Sequence, residues 1–148
     1  MTELDPTSKQ IIELLQHDGR RSYADIARSV GLSEGAARQR VSRLIDSGAM
    51  QIVAVTDPGQ LGFLRQAMIG VRTTGPVSPV ADALAELSAA SYVVVTAGVY
   101  DLLVEVVCAD DHELLDLVDT IRATPGVRET ETMTYLDIRN GTYNWGTR

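Results

Sequence analysis

The 148-residue chain is poor in the side chains that carry most enzyme chemistry. It has one cysteine, one tryptophan, one phenylalanine and two histidines, His17 and His112. A single cysteine excludes an internal disulfide. Cys108 lies in "LLVEVVCAD", a stretch that reads as the end of a buried strand, with no histidine close in sequence. That context predicts a structural thiol and not a nucleophile. No Cys/His cluster has the spacing of a zinc site, so no metal is expected. No paired carboxylates, nucleophile–base arrangement or phosphate-cradling glycine loop is present. The sequence therefore predicts no catalytic residues, no cofactor and no enzyme. Long apolar runs are missing too. "SYVVVTAGVY" falls far short of the roughly 20 residues of a membrane span, and "MTELDPTSKQ" has no signal-peptide core, which predicts a cytoplasmic protein without membrane contact. With 45% hydrophobic residues and a mean hydropathy of +0.01, the chain has enough apolar material for a core.

Positive charge is scarce overall but not locally. The formal net charge is −7, and all of that excess lies beyond residue 53; residues 1–53 balance seven basic against seven acidic side chains. Between residues 20 and 43 stand six arginines against Asp25 and Glu34. Local field governs polyanion binding more than total charge does.

The basic segment falls in a run of three short helical patterns. In "LDPTSKQIIELLQHDGR", Asp5 is placed to cap a first helix and Pro6 to open it, with Ile11, Ile12, Leu14 and Leu15 as its apolar stripe. "SYADIARSVG" follows, with Ser22 as cap, Tyr23, Ile26, Ala27 and Val30 on one face, and Gly31 as the stop. In "LSEGAARQRVSRLIDSG", Ser33 caps a third helix whose apolar face is Ala37, Val41, Leu44 and Ile45. Gly35, Gln39, Ser42 and Arg43 lie opposite, and Arg38 and Arg40 flank the stripe. Helix, tight turn and a second helix with a small, basic outer face form the helix-turn-helix pattern. Arginine can neutralise phosphate or pair with guanine, and Gln39 can pair with adenine. The plainer reading, a solvated helix kept soluble by its arginines, stays open on spacing alone.

The segment resembles the N-terminal domain of the Lrp/AsnC (feast/famine) regulators. The shared residues are Leu4-Asp5, Asp18-Gly19-Arg20, Ala27, Val30-Gly31-Leu32-Ser33, Arg40, Val41, Arg43, Leu44 and Gly48. Ser8 departs from the family, where Asp is common, and so does Glu34-Gly35, where Pro-Ser or Pro-Thr is common. The resemblance implies a winged-type helix-turn-helix domain over residues 1–50 that binds double-stranded DNA. Its implied contact set is Arg20, Arg21, Ser22, Ser33, Glu34, Gly35, Ala36, Arg38, Gln39, Arg40 and Arg43. Glu34 is awkward beside phosphate but could accept from cytosine N4.

Ile52, Val53 and Val55, followed by the turn signal Asp57-Pro58-Gly59, predict a connecting strand and hinge over residues 51–65. Residues 66–148 read as strand, helix, strand, strand, helix, strand: "QAMIGVRTT", "SPVADALAELSAA", "SYVVVTAG", "YDLLVEVVCA", "DDHELLDLVDTIRATPGV" and "VRETETMTYLDI". The first helix aligns Val80, Ala83, Leu84 and Leu87; the second aligns Leu114, Leu117, Val118 and Ile121. The order βαββαβ is the ferredoxin-like arrangement, so the fold class is α+β. Two helices on one sheet face leave the other uncovered, which predicts at least a homodimer. In "RNGTYNWGTR", Tyr143 and Trp145 follow an Asn140-Gly141 turn and fit either a last short strand or a loose tail.

This half resembles the family's RAM domain, which is ACT-like. "TAGVYDLLVEV" is similar to its G-x-[YF]-D signature, and "TPGVRETETMTYL" to its PGV…T-x-T segment. The resemblance implies an effector-sensing and oligomerisation domain, with Gly98, Val99, Tyr100, Asp101, Thr130 and Thr132 at the effector site. Backbone N–H groups at Gly98 suit an α-carboxylate and Asp101 suits an α-ammonium, which points to an amino acid or related zwitterion. On the residues alone, Gly98 as a hairpin turn and Asp101 as its cap is the favoured reading, and the effector site rests on the resemblance. The implied function is transcriptional regulation responsive to a small metabolite, by dimers that build even-numbered oligomers up to an octamer. The other reading is a metabolite-binding module that controls an enzyme by protein contact.

Overall fold

A computed structural model describes residues 4–139, 141 and 147. They form two compact units that divide between Val55 and Thr56. Tyr143, Trp145 and Asn140 lie outside the described residues.

The first unit contains helices α1 (Pro6–His17), α2 (Tyr23–Val30) and α3 (Glu34–Asp46). Each starts where its sequence supplies a side-chain acceptor for an orphan N–H. Asp5 accepts from the Ser8 N–H at 3.0 Å, Ser22 from Asp25 at 3.1 Å and Ser33 from Ala36 at 3.3 Å. Helix α2 stops at Gly31, whose φ of +70° suits a residue without Cβ, and the Leu32 N–H then closes on the Ala27 carbonyl at 2.9 Å. The core is Ile11, Ile12, Leu15, Ile26, Ala27, Ala37, Val41 and Leu44. Ile45 does not join it. It is 41% exposed, because α3 offers the core only the arc that Ala37, Val41 and Leu44 fill.

The expected connecting strand does not form. Residues 51–57 carry neither helix nor strand, and no wing strand follows α3 among the described residues. Ile52, Val53 and Val55 are 48%, 68% and 65% exposed. β-branched residues favour a ladder but cannot make one without a neighbouring strand. Asp57-Pro58-Gly59 acts as predicted: Asp57 caps a 3-10 turn over Pro58–Leu61.

The second unit holds β1 (Arg65–Thr73), α4 (Ser78–Ala85), β2 (Ala90–Val95), β3 (Leu102–Cys108), α5 (Asp111–Ala123) and β4 (Val127–Thr134). The strands form one antiparallel sheet in the order β2-β3-β1-β4, the ferredoxin-like topology. Burial in β3 alternates strictly. Leu102, Val104, Val106 and Cys108 are fully buried against the helices, while Leu103, Glu105 and Val107 are half-buried on the open face. The aliphatic run is therefore fully buried on one side only. The period of two gives each face its own set. Ala67, Ile69 and Val71 of β1 join the buried face with Val80, Leu84, Leu117, Val118 and Ile121 from the helices.

Helix α4 ends at Ala85, short of the predicted extent. The chain turns instead through Leu87 and Ala90, whose N–H groups reach back to Leu84 and Leu87. Ala83 faces solvent and not the core. Leu84→Ala should lower the unfolding free energy by about 2–5 kcal/mol in chemical denaturation, whereas Ala83→Ser should stay within about 0.5 kcal/mol. Equal effects would put the phase of α4 in error.

Candidate functional site

Helix α3 presents an outward face of Gly35, Gln39, Ser42 and Arg43, all exposed, with Ala36 half-buried at its edge. The side chains of Gln39 and Arg43 enter no hydrogen bond or ion pair among the described residues, and neither does that of Arg20. The other predicted contact residues are differently employed. Arg21 donates from Nη2 to Ser29 Oγ at 3.1 Å, which ties the start of α2 to its last turn. The Ser22 and Ser33 hydroxyls are helix caps. Arg38 donates from Nη2 to Glu34 Oε1 at 3.1 Å, and its guanidinium lies 4.8 Å from the centroid of the Tyr23 ring.

Arg40 points away from the outward face. Its Nη1 donates to Asp5 Oδ2 at 2.7 Å and to Ser8 Oγ at 3.2 Å. Ser8 is buried and also donates to Asp5 Oδ2. One carboxylate thus caps α1 and clamps α3 across 35 residues of chain. The Ser8 hydroxyl thus both accepts and donates here. The Ser8 N–H and the Arg40 guanidinium hold the Asp5 carboxyl down at about 2, below its ordinary 3.8. Sequence could show Asp5 as a cap, but the bond to Arg40 depends on how α1 and α3 pack.

In the second unit the predicted effector residues separate onto two faces. Thr130 and Thr132 pair with Val71 and Ile69, both fully buried on the helix side. Directly paired residues share a face, so the two threonines do lie together, on that side. Arg122 of α5 accordingly donates from Nε to Thr130 Oγ1 at 3.0 Å. Tyr100 lies on the other face, over Gly70. A Cβ at Gly70 would sit 2.7 Å from the ring, so only glycine admits it. The Tyr100 hydroxyl donates to Glu131, and that carboxylate with burial pushes the phenol pKa up. The Arg72 guanidinium lies 5.6 Å from the Tyr100 ring centroid, donates to the Val99 carbonyl at 2.9 Å and pairs with Glu129 at 3.1 Å.

Asp101 has a structural task. Register shifts between Arg72 and Thr73, which leaves the Thr73 N–H without a ladder partner. Asp101 Oδ2 takes that N–H at 2.7 Å and the Thr73 hydroxyl at 3.3 Å. The cap reading was right in kind, but the capped feature is a bulge in the adjacent strand and not the residue's own turn. The loop between β2 and β3 is closed by Thr96, which donates through N to the Asp101 carbonyl and through Oγ1 to the Tyr100 carbonyl. Gly98 and Val99 stand exposed at its tip. Sequence reading missed Gly70, Arg72, Glu129 and Glu131. Gly70 pairs with Glu131 and Arg72 with Glu129, and the Tyr100 side chain lies over these pairs, an arrangement that no local spacing reveals. Cys108 is buried, and burial pushes its thiol pKa up, as a structural thiol requires.

Comparison with known proteins follows the same division. Residues 4–45 match the AsnC-type helix-turn-helix domain, and residues 64–148 match a C-terminal dimeric alpha+beta barrel domain. The chain is 36% identical to the HTH-type transcriptional regulator FL11 of Pyrococcus horikoshii, over 90% of this chain and 89% of that protein. Among solved structures it is similar to the leucine response regulatory protein LrpA of Mycobacterium tuberculosis, with a TM-score of 0.86, 27% identity, and 94% and 97% of the two chains covered. The fold is shared with the Neisseria meningitidis regulator NMB0573 in complex with L-Met, with a TM-score of 0.83, 23% identity and 96% of each chain covered.

Asp5 generates a pH signature. Its folded pKa lies below the unfolded value, so its stabilisation is present above about pH 4 and is lost as pH falls toward 2. Asp25 and Asp111, also held low by hydrogen bonds and arginines, act in the same sense. Thermal unfolding should therefore show Tm falling across that window, with a shallower fall in Asp5→Asn. An unchanged slope in the variant would dismiss the clamp.

Proposed function

The chain belongs to the Lrp/AsnC family of transcriptional regulators, and on that premise we propose that it binds operator DNA through α3 in response to an amino acid or related small metabolite. The observation that carries the DNA reading is the outward face of α3: small and polar, with Arg43 and Gln39 uncommitted and Arg38 at its flank. Residues 1–50 form the DNA-binding domain, residues 51–65 the connector, and residues 66–148 the sensing and assembly domain. Arg20, Arg43 and the helix starts at Ser22 and Ser33 serve phosphates, while Gln39, Arg38, Gly35 and Ala36 approach base edges. Arg40 contributes by fixing α3 and not by touching DNA. Paired helices reach successive major grooves, so half-sites lie about one helical turn or a multiple apart.

A homodimer forms through the open sheet face, where Met68, Leu103, Val107 and Met133 stand on neighbouring strands. The match to a dimeric barrel domain supports this. Dimers then build larger even-numbered oligomers in a cytoplasmic setting. The effector contacts the loop at Gly98, Val99 and Tyr100, with Asp101 holding that loop to β1. The L-Met complex on the same fold in the Neisseria meningitidis protein supports an amino-acid ligand. Thr130 and Thr132 lie on the other sheet face and do not enter this proposal. For the effector to act it must bind two assemblies with different affinity.

Mobility-shift titration tests the DNA reading. Arg38→Ala with Arg43→Ala should weaken operator binding about 10- to 100-fold, and wild-type affinity should fall steeply with salt. Salt-insensitive binding would favour the alternative, a module that acts by protein contact. A thermal-shift screen of amino acids should give a concentration-dependent rise in Tm for the effector. A flat response to all of them would remove the amino-acid assignment.

A further inference from the structure

The feature of α3 that its function does not absorb is an acid at the first helical position, one turn before the arginine that flanks the outward face. Glu34 precedes Gly35 at the tip of the helix, and its carboxylate is half exposed. It is ion-paired to Arg38 one turn later, at 3.1 Å. That same guanidinium lies 4.8 Å from the Tyr23 ring centroid. A flexible cation is thus held on two sides, by a carboxylate from its own helix and an aromatic face from α2.

We infer that Glu34 is a specificity-determining positioning residue: with Tyr23 it sets the guanidinium of Arg38 in one orientation and withholds its charge from sequence-independent phosphate binding. The inference rests on the DNA-binding reading of α3. Two physical effects follow from the geometry. First, Glu34 repels phosphate and neutralises the arginine nearest to it, so random DNA gains little from Arg38. Second, a guanidinium already oriented loses less freedom when it meets an acceptor pair on a base edge. Only a site that offers such a pair in the right place recovers the contact. An arginine without Glu34 would spread over whatever phosphate lies nearest.

The consequence is a trade of affinity for discrimination, and salt dependence reads it. Each phosphate neutralised by a cation steepens the plot of log K against log salt by about 0.9. In Glu34→Gln the freed Arg38 becomes a general phosphate contact. Binding to random duplexes should tighten and its salt slope should steepen by about one. The ratio of operator to random affinity should fall roughly fivefold or more. Glu34→Asp, with a shorter reach but the same charge, should recover part of the ratio.

The test uses the full chain, an operator recovered by selection from a random duplex pool, and the unselected pool as competitor. Affinities are measured across a salt series for wild type, Glu34→Gln, Glu34→Asp, Arg38→Ala and the double variant Glu34→Gln/Arg38→Ala, with far-UV circular dichroism to check that each folds. The inference expects coupling: loss of Arg38 should cost operator discrimination in the wild type and little or nothing once Glu34 is gone. It is overturned if Glu34→Gln shifts operator and pool by the same factor with an unchanged slope. It is equally overturned if the two substitutions act independently, which would make Glu34 a direct base contact or a mere helix-start charge. A wild-type chain that binds no duplex at all removes the DNA-binding reading itself, so the two failures are distinguishable.

Discussion

The alternation of β1 and β3 is the constraint on which the second unit depends. Every second residue from Ala67 to Val71 and from Leu102 to Cys108 is fully buried, and two helices supply the surface that buries them. Once that face is chosen, register assigns the rest. Thr130 and Thr132 follow Val71 and Ile69 to the helix side, while Tyr100, Arg72, Glu129 and Glu131 gather on the open side. A one-residue slip would exchange the two sets. The bulge at Arg72/Thr73 is where strict alternation relaxes, and Asp101 satisfies the N–H left over.

In the first unit, charge has a structural and a functional share. Three side-chain caps start the three helices, and Gly31 sets the turn between α2 and α3. Of the six arginines that make this segment basic, Arg40 is taken up by Asp5 and Ser8, Arg28 by Asp25, Arg21 by Ser29 and Arg38 by Glu34. Arg20 and Arg43 remain uncommitted among the described residues. The basic patch is therefore narrower than composition implies, and what remains is directed outward.

Much of this was legible in the sequence because its causes are local. A cap and the residues it serves are three positions apart, an amphipathic stripe repeats within one helix, and a glycine stop marks its own position. Those signals placed α1, α2, α3, α5 and all four strands. They overran α4, where nothing local announces the turn at Leu87. They also named a connecting strand within residues 51–65, where β-branched residues are present but no neighbouring strand is among the described residues. The candidate site was legible to the same extent. Gly98, Tyr100 and Asp101 are adjacent in sequence, and the structure keeps them in one loop. Which sheet face each side chain meets depends on pairing between residues 30 or more positions apart, and a single sequence does not carry that. Asp5 and Arg40 illustrate the same limit in the first unit.

The contact between Gly70 and Tyr100 has a consequence for how this sequence can drift. The ring occupies the space in which any side chain at position 70 would stand, and its hydroxyl is anchored on the neighbouring strand by Glu131. The two positions are thus one heritable unit. A bulkier residue at 70 becomes tolerable only after the aromatic at 100 has been lost. That order of events would also remove one anchor of the loop before any compensation could arise, leaving Asp101 and Arg72 to hold it to β1. Lineages that keep the tyrosine are confined to glycine beneath it, and the path between the two states runs through an intermediate with a more weakly held loop.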